Sequence, residues 1–443
     1  MDHLVIARSL FGMTMAFHII FATLGVGIPL MVLLAEILYQ KTKDRDFAIM
    51  AKRWTKGFAV LLGVAIPTGT IAGVQLNLLW PGFMEVIGKV MSLPFQIEIY
   101  AFFAEALFMS IYVYAADRIS SFMRILSVTM VAIGGAASAI LITNVHAFEG
   151  TPTGFRIKNG EIVDVDPWAA FFNPSFFVTA GHVVLTAFMT GAFVLASISA
   201  YKMWRLKKET NVYHYYKKSL LVAITAGGIF GIAAALNGHE SMQKIYEYQP
   251  EKLAAAEGIF ETQDHAPLAI GGYTDPKEKK VKYAIEIPWL LSFLSANRFD
   301  AVVVGLNDFP KENWPPLFVH TIFNAMVLIG SFLILLAFLG LIWYKVRHAF
   351  PNWLLWGSIF SGPLAMLTIE CGWIYACTGR QPWVIYHTMR TSEAVTTSSN
   401  LGLLFTLFLA VYVILGIAVV LVLNYYFKRH PVSKELTVHQ AEA

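Results

Sequence analysis

Apolar residues fall in nine long runs along this chain, at roughly 11–39, 57–80, 97–116, 125–145, 174–201, 219–236, 316–344, 353–377 and 401–427. A run of about 20 apolar residues crosses a bilayer as an α-helix. The pattern predicts an all-α, polytopic membrane protein with about nine transmembrane helices. One long polar segment, 237–315, separates six runs from three. The chain therefore divides into a six-helix part (1–236), an external loop (237–315) and a three-helix part (316–443). The loop holds an acidic, alanine-rich, helix-like stretch from Glu251 to Glu261, a charged run from Asp275 to Lys282, and Pro288, Pro310, Pro315 and Pro316. A connection this long is usually functional. The polar tail from 430 is expected to be mobile.

Composition agrees with the pattern. The chain is 57% hydrophobic and 14% charged, with a mean hydropathy of +0.59, which excludes a soluble domain of this size. Charge orients it. Lys41, Lys43, Arg45, Lys52 and Arg53 fill one short loop, and Lys202, Arg205, Lys207, Lys208, Lys217 and Lys218 another. Short basic loops stay in the cytoplasm. Nine spans then put the N-terminus outside and the C-terminus in the cytoplasm. The net charge of +4 reflects this bias, and no nucleic acid partner is implied. The first run lacks a basic leader and a small-residue cleavage site, so it is expected to be a retained span. Cys371 and Cys377 lie six residues apart on one span, about 600° of helix, so they face different ways. Neither a disulfide nor a thiolate metal cluster is expected.

Polar groups inside the runs carry the candidate chemistry. His18, His182, Met326 and Glu370 all fall near the outer face once the spans are oriented. Such groups are costly in hydrocarbon and usually mark a functional site. Imidazole and thioether are axial ligands of haem iron, and a His/Met pair makes a six-coordinate electron-transfer haem. A haem held on one side by His or carboxylate keeps a position open for a gas. Glu98 and Glu105 are seven residues apart, about 700°, so they share one helix face. Blander readings stand beside these. An intramembrane His can be a packing residue, a Met usually fills gaps, and Glu370 can pair with Arg380. His146, His239, His320 and His387 lie at span ends or in loops and are read as structural. Spacing alone leaves a haem protein and a transporter both open.

Several segments together resemble one family. CTGRQPWVIYHTMR at 377–390 contains Gly379, Arg380, Gln381, Pro382 and Trp383, matching the GRQPW signature of cytochrome bd ubiquinol oxidase subunit I. ARSLFGMTMAFHIIF resembles its opening segment, with Arg8 and His18 in place, and QIEIYAFFAEALF resembles its third span. GHES at 238–241, QPEKLAAAEGIFET at 249–262 and YAIEIPWLLSFL at 283–294 resemble its quinol loop in the short form. The resemblance implies a terminal oxidase subunit of the bacterial cell membrane that oxidises quinol and reduces O2 to water, building a proton gradient without pumping. It implies a low-spin haem b ligated by His182 and Met326. It also implies two high-spin haems, a haem b and a haem d, on His18 and Glu370. Glu98 and Glu105 match acids for proton delivery at the dihaem site, Lys252 and Glu257 the quinol pair, and Arg8, Arg380, Gln381 and Trp383 supporting residues. Implied partners are a second subunit, a small single-helix subunit and the lipid bilayer. Asn324 stands where the family usually has Arg, and Cys377 where it commonly has Glu.

Lys252 and Glu257 are five residues apart, about 500°, so an ideal helix does not put them on one face. Their bland reading is a solvated helix face. The rival functions are a proton-coupled secondary transporter, which predicts an inverted repeat that the chain lacks, and a b-type cytochrome that only relays electrons.

Overall fold

The computed structural model describes residues 3–115, 118–208, 210–398 and 400–441. Among them are fifteen α-helices in chain order. The first eight are α1 (His3–Thr42), α2 (Arg45–Leu79), α3 (Pro81–Val90), α4 (Ser92–Ala115), α5 (Ser121–Gly150), α6 (Pro167–Phe171), α7 (Phe176–Arg205) and α8 (Asn211–Tyr248). The others are α9 (Pro250–Glu257), α10 (Leu290–Ala296), α11 (Val319–Arg347), α12 (Asn352–Thr378), α13 (Thr391–Ala394), α14 (Leu401–Arg429) and α15 (Val432–Ala441). Among the described residues, nine helices are long and apolar enough to cross a membrane: α1, α2, α4, α5, α7, α8, α11, α12 and α14.

The helices outrun the apolar runs that announced them. Hydropathy sees only the stretch in lipid, while backbone hydrogen bonding continues until something breaks it. Helix α1 begins at His3 rather than near 11, so His18 lies about four turns inside it. Helix α8 continues past 236 to Tyr248. It stops at Gln249 because the following Pro250 disfavours helical backbone in the residue before it. The tail from 430, expected to be mobile, is instead helix α15, held by a 2.8 Å ion pair between Arg53 and Glu435.

The connecting segments carry short antiparallel strands, a local departure from an all-α chain. Strands β1 (Arg156–Lys158) and β2 (Glu161–Val163) form one hairpin. In the long loop, β3 (Leu268–Ile270) pairs with β6 (Ile285–Ile287), and β4 (Tyr273–Asp275) with β5 (Lys280–Lys282). This nested hairpin bends at Gly271 and Gly272, whose φ values of 75° and 80° suit glycine. The charged run forms its tip, where Lys282 bonds Asp275 and Glu278 at 2.6 Å each. Strands β7 (Trp383–Ile385) and β8 (Met389–Arg390) shape the turn around the GRQPW segment.

Two apolar cores hold the bundle. The larger lies toward the end with basic loops and includes Met31, Met50, Phe58, Phe193, Met203, Tyr215 and Phe350. The other lies at the opposite end, where α3 packs Phe83 and Ile87 against Leu10, Leu79, Phe148 and Ile385. Helices α1 and α7 cross in near contact: a Cβ on Gly27 would lie 2.3 Å from Ala187 O and 2.9 Å from Gly191 Cα.

Candidate functional site

Helix register places the ligand-type residues at one level. His18 precedes Gly27 by nine residues, and His182 precedes Gly191 by nine, on parallel helices that touch at those glycines. Each imidazole is therefore roughly 13 Å above the same crossing. Gly231 of α8 lies against Met189 of α7 and Ile334 of α11. His182 is seven residues before Met189 and Met326 eight before Ile334, so Met326 shares that level within about 2 Å. The Sδ of Met326 packs on Gly372 of α12, and Glu370 is two residues away. On the other side, Gly135 lies between Gly25 O and the Glu105 carboxylate. Glu98, seven residues before Glu105, returns to the level of His18, which is seven before Gly25. It accepts a 3.0 Å hydrogen bond from Ser138.

The two imidazoles have hydrogen-bond geometry that suits metal ligation. Nδ1 of His18 is 2.9 Å from Thr68 Oγ1, and that hydroxyl already donates to Val64 O at 2.7 Å. Thr68 must therefore accept from Nδ1–H, which leaves the Nε2 lone pair free. His182 repeats the arrangement with Nδ1 donating to Asn237 Oδ1 at 3.2 Å. Such partners fix the tautomer and orientation of metal-ligating histidines. Beside His18, His182 and Met326 stands in each case a glycine whose Cβ would intrude. It would lie 3.0 Å from the His18 ring at Gly69, 3.3 Å from the His182 ring at Gly238, and 3.2 Å from Met326 Sδ at Gly372.

Unpartnered polar atoms cluster toward the same end. Glu370 Oε1, Arg380 Nε, Trp80 Nε1 and Trp383 Nε1 are buried with no hydrogen-bond partner among the described residues. A buried unpaired polar atom is costly, so these atoms argue for a polar ligand. Free imidazole nitrogens, a thioether, a carboxylate and glycine clearances suit haem, whose faces are flat and whose propionates need cationic and N–H donors.

Arg380 does not pair with Glu370. Its guanidinium bonds Glu149 of α5, which also accepts from His146 at 3.1 Å. The ion-pair alternative for Glu370 is thereby excluded. Gln381 accepts from Thr391 at 2.7 Å, and Arg390 covers the Trp383 ring at 5.0 Å. Arg8 is exposed on α1.

The long loop builds a second site. Helix α9 is buried from Glu251 to Glu257, Lys252 included, so the solvated-face reading fails. Gly258, at φ 70°, ends it in left-handed backbone. Lys252 Nζ reaches Ala376 O at 3.2 Å and lies 5.0 Å from the Tyr375 ring. Burial, and then the nearby Arg380 cation, pull its ammonium down to about 7. Burial pushes the Glu257 carboxyl up to about 8, and its Oε2 has no partner. Both groups therefore titrate near neutrality. Glu251 bonds Tyr386 and, at 3.0 Å, His387. His320, read from sequence as structural, is fully buried against this helix, with Nδ1 2.8 Å from Ala256 O and Nε2 2.9 Å from Gly271 O. Asn324 accepts from Gly271 N–H at 2.8 Å, tying the hairpin to α11.

Glu149, Thr68 and Asn237 were not singled out from sequence. Glu149 had a signal, a lone carboxylate at the end of an apolar run. Thr68 and Asn237 had none, because capable hydroxyls and amides are common in such helices.

Ligand-type groups at one level of a membrane bundle, next to a buried Lys and Glu on an adjoining loop, fit a membrane-bound oxidoreductase. Its relatives narrow that class. Residues 6–431 match the family described as cytochrome bd terminal oxidase subunit I. A Bacillus subtilis protein provisionally named a cytochrome bd menaquinol oxidase subunit I is 69% identical over 443 residues, covering 100% of both chains. The cytochrome bd ubiquinol oxidase subunit 1 of the same organism is 32% identical over 94% of this chain and 92% of its own. The solved bd oxidase from Geobacillus thermodenitrificans is 44% identical to this chain and superposes with a TM-score of 0.91, covering 97% of this chain and 99% of that one. The chain belongs to the cytochrome bd terminal oxidase subunit I family. It is a multi-pass bacterial membrane protein of a quinol-oxidising, oxygen-reducing enzyme, and the family implies haem cofactors. The transporter and relay readings are not favoured.

Proposed function

We propose that this subunit oxidises a menaquinol-type quinol beside α9 and holds three haems at the level of His18. The menaquinol assignment draws on the name of the relative at 69% identity. His182 and Met326 would hold a low-spin haem b. His18 and Glu370 would each hold a high-spin haem, one a haem b and one a haem d. The bound haems supply one-electron carriage from quinol and a site where oxygen is reduced.

The chain's own residues do the rest. Lys252, held between Ala376 O and the Tyr375 ring, donates to a quinol oxygen. Glu257 takes the quinol proton; a base works best when its pKa lies near the working pH. Glu98 and Glu105 hold protons on the way to the oxygen site. Arg380 Nε and Trp383 Nε1, buried without partners, would serve the polar edge of a haem. Arg8 and Gln381 support the same end from further out. The basic loops face the cytoplasm, so quinol protons leave outside and the protons for water come from within, building a gradient without pumping. A second subunit and a small single-helix subunit pack on the bundle, for which the exposed apolar faces of α4 and α14 leave room.

The observation that carries this reading is the pair of histidines with Nδ1 committed and Nε2 free at one level. A pyridine haemochrome and a reduced-plus-CO spectrum of the purified complex test it. Three haems per complex with CO binding are expected; a complex without haem overturns it.

A further inference from the structure

Helix α4 carries polar groups at 98, 105 and 112, a strict seven-residue spacing. Seven residues return almost to the same face, roughly 10 Å further along. The facing helix α5 supports each position in turn. Ser138 bonds Glu98, Gly134 and Gly135 make room for Glu105, and at the basic end Arg124 approaches Glu36, the carboxylate that Tyr112 bonds. A fourth group joins at that end from α1. Glu36 is 5% exposed, accepts from the Tyr112 hydroxyl at 2.6 Å on Oε1, and has Arg124 3.8 Å from Oε2. That last distance is beyond a hydrogen bond, and Oε2 has no other partner among the described residues.

A buried ion pair that only braced helices would use both carboxylate oxygens, and its arginine would be satisfied. Here Glu36 Oε2 and Arg124 Nε are both left over. Between Tyr112 and the Glu105 level lies a cavity of about 10 Å³ lined by Tyr112, Thr55, Met109, Val128 and Val131. That is no more than the volume of one water, and its walls are apolar, Pro29, Val32 and Phe58 among them. A continuous water chain over roughly 10 Å needs about three, so the column is closed here by an apolar constriction.

We propose that Glu36, oriented by Tyr112 and Arg124, is the proton-uptake group at the cytoplasmic end of a column that runs through Glu105 to Glu98. The inference rests on the oxidase reading above. The Glu36 carboxylate takes a proton relayed from the cytoplasmic side by water that reaches it past the partly exposed Arg124, and becomes the acid. It then gives that proton to water admitted past Met109 and Val131, which hands it to Glu105, and the Glu36 carboxylate is restored. One proton moves per cycle, only O–H bonds change, and no electron is involved. Arg124 is a positioning residue, because it touches neither the proton nor its acceptor.

The test uses the purified complex. Glu36→Gln keeps the hydrogen bond from Tyr112 but carries no proton; Glu36→Asp keeps the titratable group. Glu36→Gln is expected to retain the full haem spectrum and anaerobic haem reduction by quinol. Its oxygen turnover should fall at least tenfold, with a larger solvent isotope effect, and Glu36→Asp should recover most of the loss. Wild-type turnover in Glu36→Gln overturns the proposal. So does a loss that comes with missing haem or slowed anaerobic reduction and that Glu36→Asp does not recover. Should Glu36→Gln fail to assemble, Tyr112→Phe decides: slower turnover with a raised isotope effect and intact haems supports the proposal, and a wild-type rate overturns it. A wild-type complex without haem or oxygen consumption would instead sink the oxidase reading itself.

Discussion

Nδ1 of His18 donates to a Thr68 hydroxyl whose own proton is already given to Val64 O, so the ring can offer only Nε2 to a metal. One buried hydroxyl sets the tautomer of a candidate ligand. Removing it should weaken haem binding at that site by about 10–100-fold without touching the ligand itself. Thr68→Val keeps the shape and loses the acceptor. Haem content and the high-spin spectrum of the purified complex check this; an unchanged spectrum at full occupancy would remove Thr68 from the site.

Met326→Leu keeps the volume over Gly372 but offers no donor to iron. It should convert the low-spin haem to high spin and leave the other two populated. Low-temperature reduced-minus-oxidised spectra report the change. Retention of the low-spin band would mean that another residue is the ligand.

His18→Ala and Glu370→Ala should each abolish oxygen reduction. The low-spin haem of His182 and Met326 should still be reduced by quinol in at least one of them. CO binding should fall in both. Normal turnover in either variant would contradict the ligand role of that residue.

The pH dependence of quinol oxidation follows from α9. Burial raises Glu257 from 4.5 to about 8, so its basic form grows as pH rises through 8. Lys252 is lowered from 10.5 to about 7, so its cation is lost as pH rises through 7. A rate that needs the Glu257 base and the Lys252 cation together peaks between pH 7 and 8. Lys252→Arg keeps the cation at all these pH values, so its profile should lose the alkaline limb and climb through 8. Profiles of kcat/KM for quinol decide; identical curves for the two proteins would take Lys252 out of the site. Glu257→Gln should depress quinol oxidation at every pH and spare oxygen consumption from a donor that bypasses the loop.

Sequence by itself determined the nine spans, and it offered the residues proposed for iron. Lipid makes these legible: it requires long apolar runs and penalises any polar side chain inside them, so His18, His182, Met326 and Glu370 stand out one at a time. Only the tertiary structure decided how polar groups pair. It joined Arg380 to Glu149, 231 positions away, and left Glu370 without a bond on Oε1. It buried a polar-looking helix and so brought Lys252 and Glu257 toward neutrality. It supplied Thr68 and Asn237 to the histidines and set Glu36 under Tyr112. The physical reason is that hydropathy reports burial along one helix, whereas pairing depends on the rotation and register of two helices that may be hundreds of residues apart, and no periodicity within either records it.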